Sequence, residues 1–197
     1  GDIFSWAFTE AIAYSYSCLG DLTGKRLLEI GGGSGEQAVY FGLHGALVTV
    51  IDVSTESLRA TEGLAKAKEV QLVIQKMNAE EMNFKDQEFD LVYINSVLMH
   101  VDTEKVMKEC ARVLKGGGKL VAIEPLQYAP FVQLYRLFSS YRKMNPHYAT
   151  LKMFKDNQKH FADFSHREFY LFASLLLPIF YFKNKGWHKL YHLTAKG

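Results

Sequence analysis

The sequence predicts an α/β fold built on a doubly wound, mostly parallel sheet. Strand-like and helix-like segments alternate from residue 25 to residue 125. Within that stretch, Leu27-Leu-Glu-Ile-Gly-Gly-Gly-Ser-Gly35 reads as a buried strand, a glycine-rich turn and the start of a helix. A second apolar strand follows, Val48-Thr-Val-Ile-Asp52, and ends in an acid. Parallel strands need crossover connections, so the alternation itself implies right-handed strand–helix–strand units.

The elements follow in order. Ile3 to Cys18 carries aromatic and small apolar residues without a breaker and reads as an N-terminal helix. Asp21-Leu-Thr-Gly24 reads as a turn. The segment Arg26–Ile30, apolar at Leu27, Leu28 and Ile30, suits a buried parallel strand. Ser34–Leu43 is the first crossover helix, closed near Gly45, and Ala46–Val53 is the second strand. Ser54 is a suitable N-cap for a helix running to about Glu69, with Glu56 favourable in its first turn. Val70–Met77 and Phe89–Asn95 are the third and fourth strands. Thr103 is expected to cap the next helix, in which Val106, Met107, Cys110, Val113 and Leu114 form one buried stripe. Cys110 therefore reads as core. Gly116–Gly118 is expected to end that helix, with Lys119–Ile123 as the fifth strand.

After Pro125 the pattern changes. Tyr128–Tyr148 looks helical, Glu168–Leu177 contains a sixth apolar strand, and Trp187–Ala195 alternates as a seventh. Phe169–Phe182 is apolar for 14 residues, short of the roughly 20 that a spanning helix needs, and Pro178 interrupts it.

The glycine-rich turn and the acid carry chemistry. Removing side chains at Gly31, Gly33 and Gly35 lets a ligand approach the helix start closely, and Asp52, with Val53 beside it, can accept both hydroxyls of a ribose. An adenosine-containing cofactor is implied. Gly33-Ser-Gly-Glu-Gln-Ala38 also fits the dinucleotide form G-x-G-x-x-A, with an acid about 20 residues on, so the loop alone leaves two cofactor classes open.

Residues 25–125 resemble a class I S-adenosylmethionine-dependent methyltransferase. Leu28-Glu-Ile-Gly-Gly-Gly-Ser-Gly35 is similar to that family's first motif, and Asp52 to its ribose acid. Asn78-Ala-Glu80, followed by Met82-Asn-Phe84, stands where the family reads the adenine edge. Phe89–His100 resembles its fourth strand and the loop under the methyl group. Leu114–Pro125 resembles the turn into its fifth strand. The resemblance implies a Rossmann-like sheet of seven strands. Leu190-Tyr-His-Leu-Thr-Ala-Lys196 is similar to the family's antiparallel last strand, and a helical, aromatic insertion stands before strand six. It also implies S-adenosyl-L-methionine as cofactor, held by Glu29, Gly31, Gly33, Gly35, Asp52, Val53, Asn78, Ala79, Asn95 and Ser96. Glu29 would support the loop or reach the cofactor ammonium through water. Asn95 and Ser96 would border the methionyl carboxylate or the methyl. Two departures stand out. The adenine position, usually Asp, is Asn78, whose oxygen can still accept from an amino group. The family's Leu-Lys-Pro-Gly-Gly turn is Leu114-Lys-Gly-Gly-Gly118, which costs turn rigidity rather than chemistry.

One domain is expected over 1–197: an N-terminal helix or partial lid at 1–20, a cofactor-binding core at 25–125, a substrate cap at 126–166, and C-terminal strands at 167–197. Relatives in the family often carry a longer N-terminal lid, so part of the substrate cover is expected to be missing. Cys18 and Cys110 are too few and too separate for a disulfide framework, and no basic-then-apolar leader is visible. A cytoplasmic protein is expected. Residues 1–130 hold 12 Lys/Arg against 18 Asp/Glu, whereas residues 131–197 hold 11 against 3. The second part, rich in Phe and Tyr, can face an anionic substrate or a membrane surface peripherally. It can equally be a solvated basic face over an aromatic core.

Methyl transfer from a sulfonium asks chiefly for in-line positioning. His100, just past the fourth strand, is the first candidate base, since imidazole titrates near neutrality; its alternative is a loop hydrogen bond. Glu124 is the second candidate base; its alternative is to hold the Pro125 turn. His147, His160 and His166 lie in the insertion and read as surface or structural histidines. No histidine–cysteine spacing matches a metal site, so no metal is expected. The expected partner is a small or lipid-like acceptor, apolar, aromatic or anionic, methylated on oxygen, with no nucleic acid. An NAD-dependent oxidoreductase is the rival enzyme. A non-catalytic cofactor-binding scaffold is the rival of another class.

Overall fold

In a computed structural model of the 197-residue chain, the described residues are 3–125 and 149–169. They form five parallel strands in the order β3-β2-β1-β4-β5, with helices on both faces. The elements are α1 (Ile3–Leu19), β1 (Arg26–Ile30), α2 (Glu36–Leu43), β2 (Leu47–Asp52), α3 (Thr55–Ala67), β3 (Val73–Lys76), β4 (Phe89–Asn95), α4 (Thr103–Val113), β5 (Leu114–Ile123) and α5 (Leu151–Asn157). β1 sits at the centre, pairing Ile30 with Ile51 of β2 and Ile94 of β4.

The period-2 alternation of β1 divides the core into two. Leu28 and Ile30 face one side, with Ile51, Val92 and Ile94, and pack on Val106, Met107, Cys110 and Val113 of α4. Leu27 faces the other side, with Val48, Val50, Leu91 and Tyr93, and packs on Ala38 and Phe41 of α2 and Leu19 of α1. Each face buries large side chains completely, Phe41, Phe89 and Tyr93 among them, which is the main favourable term holding the sheet. Cys110 is fully buried in the first core, and burial drives its thiol pKa upward. Both cysteines are free.

Several boundaries match the periodicity and some do not. β1 and β4 span the residues expected, and Ser54 caps α3 by accepting the Ser57 amide at 3.2 Å. α4 is capped by Asp102, which accepts the Lys105 amide, rather than by Thr103. Thr103 instead donates its hydroxyl to the Leu98 carbonyl. β3 is confined to Val73–Lys76. The glycine run does not separate helix from strand: β5 begins at Leu114, and the register with β4 jumps from Phe89↔Leu114 to Leu91↔Lys119. Gly116–Gly118 is thus the extra chain of a bulge, with Gly117 left-handed at φ +77°.

The chain divides into two compact units, Gly1–Leu126 with Pro146–Ser165, and Gln127–Asn145 with His166–Gly197. In the first, α5 is capped by Thr150 and followed by a short turn, Gln158–His160. Met153, Phe154 and Phe161 pack on the α4 side of the core, and Lys159 pairs with Glu104 of α4 at 2.8 Å. So part of the segment assigned to a cap rests against the sheet's own layer. In the second unit the Arg167 guanidinium lies over the Phe169 ring. The helix expected at 128–148 and the seventh strand lie outside the described residues, as does the sixth strand apart from Glu168 and Phe169, which are irregular.

Arg112 closes the long β3–β4 connection. Its guanidinium donates to Glu109, to Asp86 and to the carbonyls of Met82 and Phe84, at 2.7–2.9 Å. The Glu109 carboxylate in turn accepts the Met82 amide, and the Arg112 hydrogen bond holds its pKa below the usual range. Arg112→Ala is expected to lower stability by about 2–3 kcal/mol, since bonds to charged groups are lost and partly buried acceptors are left unpaired. Urea unfolding checks this, and a loss below about 0.5 kcal/mol would show the loop held by other contacts.

Candidate active site

The sheet order reverses between β1 and β4, the topological switch point where open α/β sheets bind ligands beyond the carboxyl ends of their strands. The glycine loop leaves β1 at this point. Its first amide, Gly31 N–H, donates to the Ile51 carbonyl, and Gly35 N–H donates to Gly32. A side chain on Gly31 would overlap Val97 Cγ2, and one on Gly35 would stand 2.6 Å from the Thr61 α-carbon. Gly33 is different. It is left-handed at φ +51°, exposed, and no atom lies within 4 Å of where a Cβ would be. Two glycines therefore let the loop sit down on its neighbours, while the third keeps a bare backbone towards open space. Gly35 caps α2 without a side-chain acceptor, so the first amides of α2 remain available at this end.

Glu29 and Asp52 stand at the ends of adjacent strands. Glu29 is 1% exposed, and neither carboxylate oxygen has a partner among the described residues. Burial pushes its pKa up to about 8, with a smaller contribution from the charge of Asp52. Tyr16 and Tyr93 lie close enough for its charge to raise both of theirs, Tyr93 to about 12. In both tyrosines burial is the first cause. Ser15 of α1 and Tyr93 share a hydrogen bond at 3.2 Å, which ties the helix to this wall. Asp52 is half-buried, and its Oδ1 accepts the Ser54 amide at 2.8 Å, which fixes the carboxylate at the tip of β2 beside the exposed Val53.

The remaining expected site residues are placed as follows. Ala79 is buried in the core, and the neighbouring Asn78 is exposed. The Asn78 side-chain oxygen accepts the Glu80 amide at 3.0 Å, so the acceptor expected for an adenine amino group already closes a turn. Asn95 and Ser96 lie at the end of β4, with the Ser96 hydroxyl donating to Asn95 Oδ1. Ser96 is left-handed at φ +59°, a strained state for a side-chain-bearing residue. His100 is exposed, in the one-turn helix Leu98–His100, and its amide donates to the Val97 carbonyl. Glu124 directs Oε1 onto two backbone amides, those of Val97 and Leu98. His160 is half-buried beside α4, His166 is exposed, and His147 lies outside the described residues. No group of three potential metal-ligating side chains occurs among the described residues. Val97 and Thr61, which back the glycine loop, carried no sequence signal, because only the tertiary fold brings them to it.

The residues present fit an adenosyl cofactor: Gly33 leaves its backbone clear, Asp52 is held at the strand tip, and Glu29 is a buried acceptor without a donor among the described residues. The fold is that of an α/β domain with its glycine loop at the switch point. Comparison with known proteins bears on the cofactor. Residues 28–122 match the methyltransferase domain family. Over those residues the chain is similar to class I S-adenosylmethionine-dependent methyltransferases, which favours that cofactor class of the two that the glycine loop left open. A ubiquinone biosynthesis O-methyltransferase from Alkalilimnicola ehrlichii is 36% identical over 110 residues, covering 55% of this chain and 44% of that protein. A ubiquinone/menaquinone biosynthesis C-methyltransferase from Psychromonas ingrahamii is 33% identical over 138 residues, covering 64% and 53%. The chain thus spans about half the length of these curated relatives. The crystal structure of YcgJ from Bacillus subtilis shares the fold, with TM-score 0.65 and 24% identity over 76% of this chain and 68% of that one.

The Glu29 carboxyl gives a pH signature. Its folded pKa, about 8, lies above the ordinary carboxylate value. Between the two, the folded chain binds more protons than the unfolded chain, so its stability falls as pH rises through that window. Glu29→Gln removes the titration. Without cofactor, the variant is expected to melt progressively higher than the native chain from pH 6 to pH 9. Parallel melting curves across that range would mean that Glu29 is not held protonated.

Proposed function

We propose that this domain methylates an oxygen atom of a small, lipid-like acceptor of the quinol or phenol class. The glycine loop carries the reading: its backbone is bare at Gly33 and stands one strand away from Asp52. The acceptor class is supported by the relatives above, which are named for ubiquinone biosynthesis as O- and C-methyltransferases. When bound, S-adenosylmethionine would supply an electrophilic methyl group on a sulfonium sulfur, whose thioether is the leaving group for an acceptor oxygen.

The chain's own residues position and deprotonate. Gly33 leaves the loop backbone bare towards the methionyl part, Gly31 and Gly35 seat the loop against Val97 and Thr61 rather than facing the ligand as the sequence suggested, and Asp52, next to Val53, accepts the ribose hydroxyls. Asn78 and Ala79 border the adenine, Glu29 receives the ammonium directly or through water, and Asn95 and Ser96 line the methyl end. His100, exposed and one turn beyond β4, takes the acceptor's hydroxyl proton and releases it to solvent. Most of the acceleration is positional. The basic, aromatic residues 131–197 support a contact with an anionic membrane surface on the cytoplasmic side, where a lipid-like acceptor would be met. Among the described residues, no helix is long and apolar enough to cross a membrane.

Calorimetric titration tests the cofactor assignment. S-adenosylhomocysteine is expected to bind and NADH is not; the reverse result would overturn it. Asp52→Ala is expected to weaken S-adenosylhomocysteine by about 1.5–3 kcal/mol, roughly ten- to a hundredfold. Unchanged affinity would remove the ribose role. His100→Ala is expected to lower turnover of a phenolic acceptor by about a hundredfold or more at constant S-adenosylhomocysteine affinity. Loss of that affinity instead would put His100 in the cofactor cradle.

A further inference from the structure

The end of β5 satisfies the backbone of the turn that follows β4. Ser96 N–H donates to the Ile123 carbonyl at 2.8 Å. Val97 N–H and Leu98 N–H both donate to Glu124 Oε1, each at 2.8 Å. Three successive amides are thus held from one point. The turn needs such a hold, because Ser96 adopts a left-handed conformation that costs roughly 1–2 kcal/mol for a residue with a side chain. The same turn carries Val97, whose side chain fills the space where a Cβ on Gly31 would stand. Gly31 opens the glycine loop and is itself anchored through its amide to Ile51. A continuous set of contacts therefore runs from Glu124, through Val97, to the loop expected to cradle the cofactor.

We infer that Glu124 is a positioning residue that sets the glycine loop by clasping the Val97–Leu98 backbone, and not a base for the acceptor. The inference rests on the methyltransferase reading for its ligand but not for its geometry. A base needs a lone pair presented to the acceptor, and Oε1 already accepts two amides. Oε2 is buried without a partner among the described residues. Burial also pushes the carboxyl up to about 7, against the two hydrogen bonds that oppose the shift. A group held partly protonated can clasp amides through Oε1 in either state. Glutamine should then serve in its place.

The test compares Glu124→Gln and Glu124→Ala in the full chain, with Val97→Ala as a third variant that removes the contact to Gly31 while leaving the clasp. Amide hydrogen exchange at Gly31 and Gly35, whose amides donate to the Ile51 and Gly32 carbonyls, reads loop position without any cofactor. Exchange should quicken at least tenfold in Glu124→Ala and in Val97→Ala, stay near native in Glu124→Gln, and remain unchanged in β2 for all three. S-adenosylhomocysteine affinity should fall about tenfold in the two alanine variants and be restored by glutamine. If Glu124→Ala does not fold, the glutamine and Val97 variants decide. Native exchange in Val97→Ala would overturn the inference. So would a hundredfold loss of turnover in Glu124→Gln with affinity and exchange intact, which would make Glu124 the base. Should the native chain fail to bind S-adenosylhomocysteine, the functional reading fails, whereas the exchange result still judges the clasp.

Discussion

The close seating of the glycine loop between Val97 and Thr61 is the constraint on which the rest of the site depends. A Cβ at Gly31 would collide with the first of these, and a Cβ at Gly35 with the backbone of the second. The loop can therefore turn tightly out of β1 and start α2 against α3 without lifting off the sheet. Gly33 is then left with open space beside its backbone, and Asp52 stands one strand away. Replacing either packed glycine would force the loop or its neighbour to shift before any ligand arrived, since the added Cβ would overlap Val97 Cγ2 in one case and stand 2.6 Å from the Thr61 backbone in the other.

The loop's surroundings are built at some cost to stability. Glu29 is a buried carboxyl near Tyr16 and Tyr93 without a hydrogen-bond partner among the described residues, an arrangement that disfavours its charged form. Ser96 is held in a left-handed turn. Both features lie at the carboxyl ends of the central strands, where the reaction is proposed to occur, and the two packed cores on either side of the sheet supply the stability that tolerates them. The opposite edge of the site is anchored through charge. Arg112 fastens the long connection that also contains Asn78 and Ala79, using side-chain and backbone acceptors together.

Much of this was legible from residues alone, because local pattern and tertiary environment agree there. The apolar runs of β1 and β4 are buried on both faces, so their boundaries coincide with the runs. Ser54 caps α3 because its hydroxyl meets the Ser57 amide within one turn, a purely local event. Where two local solutions compete, the sequence was ambiguous. Asp102 and Thr103 can each cap α4, and the carboxylate takes the position. Gly116–Gly118 permits a turn or a bulge, and pairing with β4 selects the bulge. Asn78 was expected to present its oxygen outward, but the Glu80 amide is nearer. The partners of the glycine loop, Val97 and Thr61, could not be read at all, since each lies tens of residues away and looks like any aliphatic or hydroxyl side chain.

The most direct measurement is the S-adenosylhomocysteine affinity of Gly33→Ala beside that of the native chain, with a thermal melt of each. Gly33 has empty space around its missing Cβ, so the methyl group should cost only the roughly 1–2 kcal/mol of a left-handed alanine, and the variant should remain folded. If the bare backbone faces the cofactor, affinity falls at least tenfold in that folded protein. A folded Gly33→Ala that binds S-adenosylhomocysteine as tightly as the native chain would place the cofactor elsewhere.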